Sequence, residues 1–363
     1  MKICINAINA KSRGITNYTA FLLRSLTETY ELRIDLVIPQ EMRDRYSILE
    51  NSNVRFRTIP LEGKIAKTLY SNLVFPFFCL YKNYDLIHSV ANTGVWISPI
   101  PQILTIHDTY EMVEKERFSL FKRIYMRLAV SFSGRFSRAI LAVSNNTASD
   151  IRRFYPHLSS KTTVVYSGNN WDVLPTADVT YQKKKFFLFV GTLEPGKNIK
   201  TLLKAMEILI KRYPYCLTIV GAKGWKQDEL PGLAEEMGIK EHVVFPGFVK
   251  NSELKELYMN TTALILPSVY EGFGFPIIEA MSHGAPVIAA RNSAMPEAGG
   301  EAAIYFDTFD YEVLARQMIR IIEDKLLRKT SITKGLKQAA QFSWSRTASE
   351  TYDLYCRFAK NER

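Results

Sequence analysis

The chain has 363 residues, 47% hydrophobic and 23% charged, the balance of a globular protein of two ordinary domains with large cores. Lys and Arg number 47 against 36 Asp and Glu, a net charge of +11, which points to an anionic partner: nucleic acid, an anionic membrane face or a phosphorylated substrate. The four cysteines, Cys4, Cys79, Cys216 and Cys356, are far apart, exclude a zinc pattern or disulfide framework, and read as reduced core residues of a cytosolic protein.

In chain order, Met1 runs straight into KICINAIN, a strand with no charged leader before it. NYTAFLLRSLTETY is an amphipathic helix, and short apolar runs follow at RIDLVIP, NVRFRTI, YDLIHSV, QILTIHD, RAILAVS and TTVVYSG, many of them separated by helical patterns. The densest apolar stretch, NLVFPFFCLY (Asn72 to Tyr81), is too short to span a bilayer and is interrupted by Pro76. RFSLFKRIYMRLAVSFSGRFSR carries Arg117, Lys122, Arg123, Arg127, Arg135 and Arg138 and no acid. It reads either as a basic amphipathic helix lying on anionic lipid or as a core helix with a solvated basic face.

The alternation stops near Asn170, and NWDVLPTADVTYQKKK (170–185) reads as a linker. FFLFVG, CLTIVG, HVVFPG, TALILPS, PVIAA and AAIYF form a second series of strands, and WSRTASETYDLYCRFAK is a closing helix for which Ser345 is the expected cap. The fold class expected is α/β, two Rossmann-like doubly wound units in tandem, 1–172 and 184–344, with the helix of about 345–363 packing back on the first. In such sheets ligands bind beyond the carboxyl ends of the strands, and two facing units would hold a ligand in their cleft.

The stretch PSVYEGFGFPIIEAMSHGAPVIAA holds two glutamates eight residues apart. Pro276 suits the first turn of a helix PIIEAMSH that Gly284 ends. The N-terminus of that helix favours phosphate, which Gly272 and Gly274 let approach the backbone. Glu271 then stands on the loop, and Glu279 lies about one turn into the helix, within reach of vicinal hydroxyls such as those of a ribose. A nucleotide-sugar has a phosphate in the middle and hydroxyls at both ends. The alternative is a solvated loop glutamate and a helix-stabilising one.

This E-x7-E stretch resembles the signature of retaining glycosyltransferases of the GT-B fold, family 4, and the resemblance covers nearly the whole chain. SRGITNYT, TIHDTY, AVSNNTASDI, VVYSGNN and VGTLEPGKN resemble that family's further segments in order. Many members have an Arg where this chain has Thr192, and another where it has Gly196, so Lys197 inherits more of the diphosphate's charge. Arg291 is an alternative cation. The resemblance implies donor contacts from Gly14, Gly191, Thr192, Lys197, Gly272, Phe273, Gly274, Phe275 and Glu279. It gives catalytic roles to His107 and Glu271, and places Asp108 and Tyr18 on the acceptor side. His107 is expected at the donor sugar or, alternatively, as a structural strand-end histidine. His88 ends a strand near the cleft, and His283, His157 and His242 read as helix-end or surface residues.

No metal and no cofactor are implied, since no Asp-x-Asp occurs and a helix N-terminus with Lys197 would neutralise the leaving group. The donor expected first is a GDP-sugar, then a UDP-sugar. The expected acceptor is a growing surface glycan on a lipid diphosphate, with the enzyme cytoplasmic and peripheral on the inner membrane face. An epimerase or hydrolase on the same fold is one rival. A nucleic-acid-binding protein is another, without a supporting motif.

Overall fold

The computed structural model describes residues 1–50, 52–174, 183–222, 224 and 229–359. The chain divides into two compact units, Met1–Asn170 with Ser343–Arg363, and Trp171–Phe342. The 170–185 stretch expected as a linker lies partly outside the described residues. Its described start is held within the second unit, where Val173 and Leu174 pack against Ile332 and Leu336 and the Leu174 N–H donates to the Ser282 carbonyl.

The first unit contains β1 (Lys2–Asn6), β2 (Arg33–Pro39), β3 (Val54–Ile59), β4 (Leu86–Ser89), β5 (Gln102–Ile106), β6 (Ala139–Ala142) and β7 (Thr162–Val164). They form one parallel sheet in the order β3-β2-β1-β4-β5-β6-β7. The second unit contains β8 (Phe186–Val190), β9 (Cys216–Val220), β10 (Val243–Gly247), β11 (Ala263–Leu266), β12 (Val287–Ala290) and β13 (Ile304–Phe306). These are also parallel, in the order β10-β9-β8-β11-β12-β13. Strands such as LIHS, AILA, ALIL and VIAA are buried at every position, as sheets covered on both faces require. Each order reverses once, at β1/β4 and at β8/β11, and those reversals are where doubly wound sheets hold ligands.

Several local expectations change. The first helix starts earlier than its apolar pattern suggests, at Arg13, because Ser12 caps it by accepting from the Ile15 N–H. Gly14 therefore belongs to a helical first turn. The closing helix, Trp344–Phe358, is capped by Ser343, which accepts from the Arg346 N–H, and not by Ser345. This helix belongs to the first unit and lies so close to Gly168 that a Cβ there would sit 2.4 Å from the Trp344 nitrogen. Cys4 and Cys79 are core residues, but Cys216 is only partly buried and Cys356 is exposed.

Helix Leu120–Phe136 also departs from the core-helix reading. It buries the small side, Ala129, Val130, Ser133 and Gly134, with Gly134 pressed on Leu158. Its solvent side keeps large apolar residues instead of a purely basic face. Among the described residues, no helix is long and apolar enough to cross a membrane.

Candidate active site

In the second unit, the loops after β8 and β11 leave neighbouring strands at the point where the order reverses. The backbone is crowded there: a Cβ on Gly221, at the end of β9, would lie 1.7 Å from the Gly191 carbonyl oxygen, so only glycine fits. The loop after Gly191 exposes Thr192 and tightens into a 3-10 turn, Pro195–Lys197. Asn198 follows with φ 54°. Its side-chain amide donates to the carbonyls of Pro267 (3.1 Å) and Thr308 (2.7 Å), and its Oδ1 accepts from Thr201 Oγ1 at 2.9 Å. The Val269 N–H donates to the Gly196 carbonyl at 2.9 Å, joining the two loops.

That join sets Lys197 against Glu271. Lys197 Nζ lies 2.7 Å from Glu271 Oε1, with the two side chains 18% and 14% exposed. Ser268 Oγ donates to the same carboxylate oxygen at 2.7 Å, and the Glu271 N–H donates to Ser293 Oγ at 2.9 Å. The sequence reading gives Lys197 a diphosphate and Glu271 a sugar; in the structure the two charges satisfy each other. Being largely withdrawn from water, either charge would be poorly solvated without its partner.

Gly274, at φ 95°, turns the chain into helix Phe275–Ser282, with Pro276 in its first turn and no side chain capping its start. The amides there and the helix dipole favour an anion. Phe273 is buried, its ring against Phe275 and Phe342, so it shapes the loop from inside. Glu279 is 9% exposed and accepts from the Tyr258 hydroxyl at 3.0 Å. Burial, then the Glu279 charge, holds that phenol well above its ordinary pKa, so it stays a donor. His283 Nδ1 donates to the Glu279 carbonyl at 2.7 Å, and its ring stacks on Tyr258, a helix-end role. Arg291 lies over the Tyr305 ring.

In the first unit, His107 follows β5. Its Nε2 lies 2.9 Å from the Val90 carbonyl. A carbonyl only accepts, so Nε2 carries the proton and Nδ1 keeps a lone pair. Burial lowers its pKa to about 4, against a smaller upward pull from Val90, leaving the ring neutral at pH 7. Its backbone N–H donates to Asn92 Oδ1 at 2.7 Å. Asp108 Oδ1 accepts from the Tyr110 N–H, orienting the following turn. Tyr18 is fully buried, edge-on to His107 with centroids 4.7 Å apart and near Trp344 at 5.7 Å. It supports the histidine and has no surface to offer an acceptor. Beside Gly14, the Ile15 N–H donates to Ser12 Oγ. His88 is core: Nδ1 bonds the Tyr355 hydroxyl at 2.6 Å and Nε2 bonds Thr105 Oγ1 at 2.7 Å. Burial, then His107, lowers its pKa to about 3.

The sequence reading missed Asn198, Ser268, Ser293 and Tyr258. A faint signal existed for Asn198, an asparagine directly after a tight Gly-Lys turn, where left-handed backbone is tolerated.

Two parallel doubly wound units, with glycine-lined loops and a bare helix start at a strand-order reversal, are the parts of a GT-B fold. A family model described as "Glycosyltransferase Family 4" matches residues 12–170, and one described as "Glycosyl transferases group 1" matches 175–338. The O-antigen chain mannosyltransferase B of Escherichia coli is 30% identical over 264 residues, 70% of this chain and 69% of that protein. The chain belongs to the family 4 glycosyltransferases. The serotype-specific mannosyltransferase WbdA of Escherichia coli is 26% identical over 73% of this chain, which spans only 34% of that protein. Anabaena HepE, solved with UDP-glucose, shares the fold with a TM-score of 0.80 at 20% identity, covering 98% of this chain and 100% of that one.

Proposed function

We propose that this glycosyltransferase moves a mannosyl residue, with retention of anomeric configuration, from a nucleoside-diphosphate mannose to a growing surface glycan. GDP-mannose is the donor of choice, and the acceptor is carried on a lipid diphosphate at the inner face of the cytoplasmic membrane. The mannosyl and O-antigen parts rest on the names of the relatives; retention rests on the family signature. One observation carries the chemistry: the 2.7 Å Lys197–Glu271 pair beside the uncapped start of helix Phe275–Ser282.

When the donor binds, Lys197 leaves Glu271 for the diphosphate, and Glu271, still held by Ser268, takes the sugar hydroxyls. As the C1–O bond breaks, its electron pair goes to the diphosphate, the acceptor hydroxyl oxygen bonds C1 from the same face, and the hydroxyl proton passes to the departing phosphate oxygen. Lys197 and the helix amides take up that charge without a divalent metal. Glu271 steadies the positive charge developing at C1 and Glu279 holds the ribose; in the first unit, the neutral His107 offers its Nδ1 lone pair to a sugar hydroxyl.

The test is transfer from GDP-mannose, compared with UDP-hexoses, to a lipid-diphosphate glycan acceptor, read by mass and by the anomeric NMR coupling of product. Retained configuration and full activity in chelator are expected. Inverted product, dependence on added magnesium or manganese, or a UDP-hexose as the better donor would each overturn the matching part. Donor consumed equally without acceptor would favour the hydrolase or epimerase reading.

A further inference from the structure

The first unit leaves an apolar face uncovered. From 64 to 81 the chain is one helical run: α-helix Lys64–Leu69, a π turn Tyr70–Val74 and α-helix Phe75–Tyr81. Its inner side is buried through Ser71, Phe75 and Cys79, but Ile65, Leu69, Leu73, Phe77 and Tyr81 stand out, Phe77 at 65% and Tyr81 at 77% exposure. Helix Leu120–Phe136 repeats the pattern: Phe121, Ile124, Leu128, Phe132 and Phe136 follow one another at intervals of three and four residues, Phe121 at 82% exposure. That spacing draws a single stripe along a helix, here pointed at solvent.

The two stripes belong to one surface. Thr68 Oγ1 lies 3.4 Å from the Tyr125 hydroxyl. Asn72 Oδ1 accepts from the Trp96 N–H at 2.8 Å, and the Trp96 ring lies 6.2 Å from that of Phe132. Most of the exposed large apolar side chains among the described residues lie here. An apolar patch of this extent on a folded protein marks an interaction surface.

Charge selects the occupant. Neither 64–81 nor 120–138 contains an Asp or Glu. Arg127, Arg135 and Arg138 are exposed along the Phe132 stripe, and Lys161 Nζ is held at the same helix end by the carbonyls of Arg135 (2.7 Å) and Ser137 (2.8 Å). Lys122 is excluded from this set, since it is engaged with Glu111 at 3.6 Å and with the Phe118 ring. A second copy docking by two-fold symmetry would bring these arginines against their own counterparts. A bilayer of anionic lipid offers acyl chains for the stripe and phosphates for the arginines.

We propose that residues 64–81 and 120–136 form a two-helix wedge that seats in the headgroup region of an anionic membrane, apolar stripes inward and Arg127, Arg135 and Arg138 on lipid phosphates. This deepens the membrane placement proposed above and makes no use of the sugar chemistry, so flotation can fail while transfer to a soluble acceptor succeeds, and the reverse.

The experiment is flotation of the full chain with phosphatidylglycerol-containing vesicles and with pure phosphatidylcholine vesicles. Wild type should float with the first and far less with the second. Phe77→Ser with Phe121→Ser should weaken binding by on the order of tenfold or more, and Arg127→Glu with Arg135→Glu by roughly thirtyfold, both with unchanged thermal midpoints. The proposal falls if wild type does not float, or if the phenylalanine variant floats as well as wild type. It falls equally if lipid-free protein sediments as a dimer that the phenylalanine variant dissolves.

Discussion

Lys197–Glu271 in the second unit and His107 in the first are built on opposite principles. The ion pair is partly open to water, set by loops, and holds two charges that a ligand can re-partner. His107 is buried and neutral, locked by Val90 and Asn92 and edge-on to Tyr18. The first is an electrostatic device whose geometry can exchange; the second is fixed by packing before any ligand arrives. Changes at the first should therefore register in kinetics and binding, and changes around the second in stability.

The sharpest test is Glu271→Gln, which keeps shape and removes charge. It should lower kcat by about 10²–10³ with nucleotide affinity little changed, as steady-state kinetics and calorimetry would show. A raised donor KM with normal kcat would make Glu271 a uniform binding group. Next comes His88→Ala in the layer behind His107. It leaves a cavity and removes one hydrogen-bond partner each from Thr105 and Tyr355, costing roughly 3 kcal/mol in urea unfolding. A loss near zero would show that the buried network does not stiffen this unit. Glu279→Ala should weaken nucleoside diphosphate binding by about 1.5–3 kcal/mol, and Tyr258→Phe by roughly 0.5–1.5. Unchanged affinity in folded protein would remove Glu279 from the ribose.

The same contrast extends to pH. His88 and His107, with ordinary values of 6.5, are lowered by burial to about 3 and about 4. The unfolded chain thus takes up their protons first. Stability should be flat above pH 6.5 and fall between about 6.5 and 4, by about 1.4 kcal/mol per pH unit for each histidine. His107→Gln should remove one histidine's share of that slope in unfolding midpoints. An unchanged slope would mean that other groups govern acid unfolding.

The sequence made the fold legible because both sheets are parallel and buried, so each strand is a compact apolar run such as ALIL or VIAA. Glu279's place on a helix was legible for the same local reason: Pro276 and Gly284 bracket it. The ion pair was not, because Lys197 and Glu271 are 74 residues apart and are brought together by a bond between loops, from the Val269 N–H to the Gly196 carbonyl. The apolar wedge was half legible: periodicity draws the stripe on 120–136, but only packing reveals that the small residues Ala129 and Gly134 face inward.

The closing helix Trp344–Phe358 has a consequence for how the molecule is made. It belongs to the unit begun at Met1, yet the whole second unit is synthesised before it. While the ribosome works through residues 171–342, the first sheet exists without Trp344 beside Tyr18 and without Tyr355 on His88. The second unit can therefore close first, and the unit that starts the chain is the one that matures last. A nonsense change near Ser343 would leave a complete second unit attached to an unfinished first one, its buried His88 short of a partner and its sheet open to aggregation.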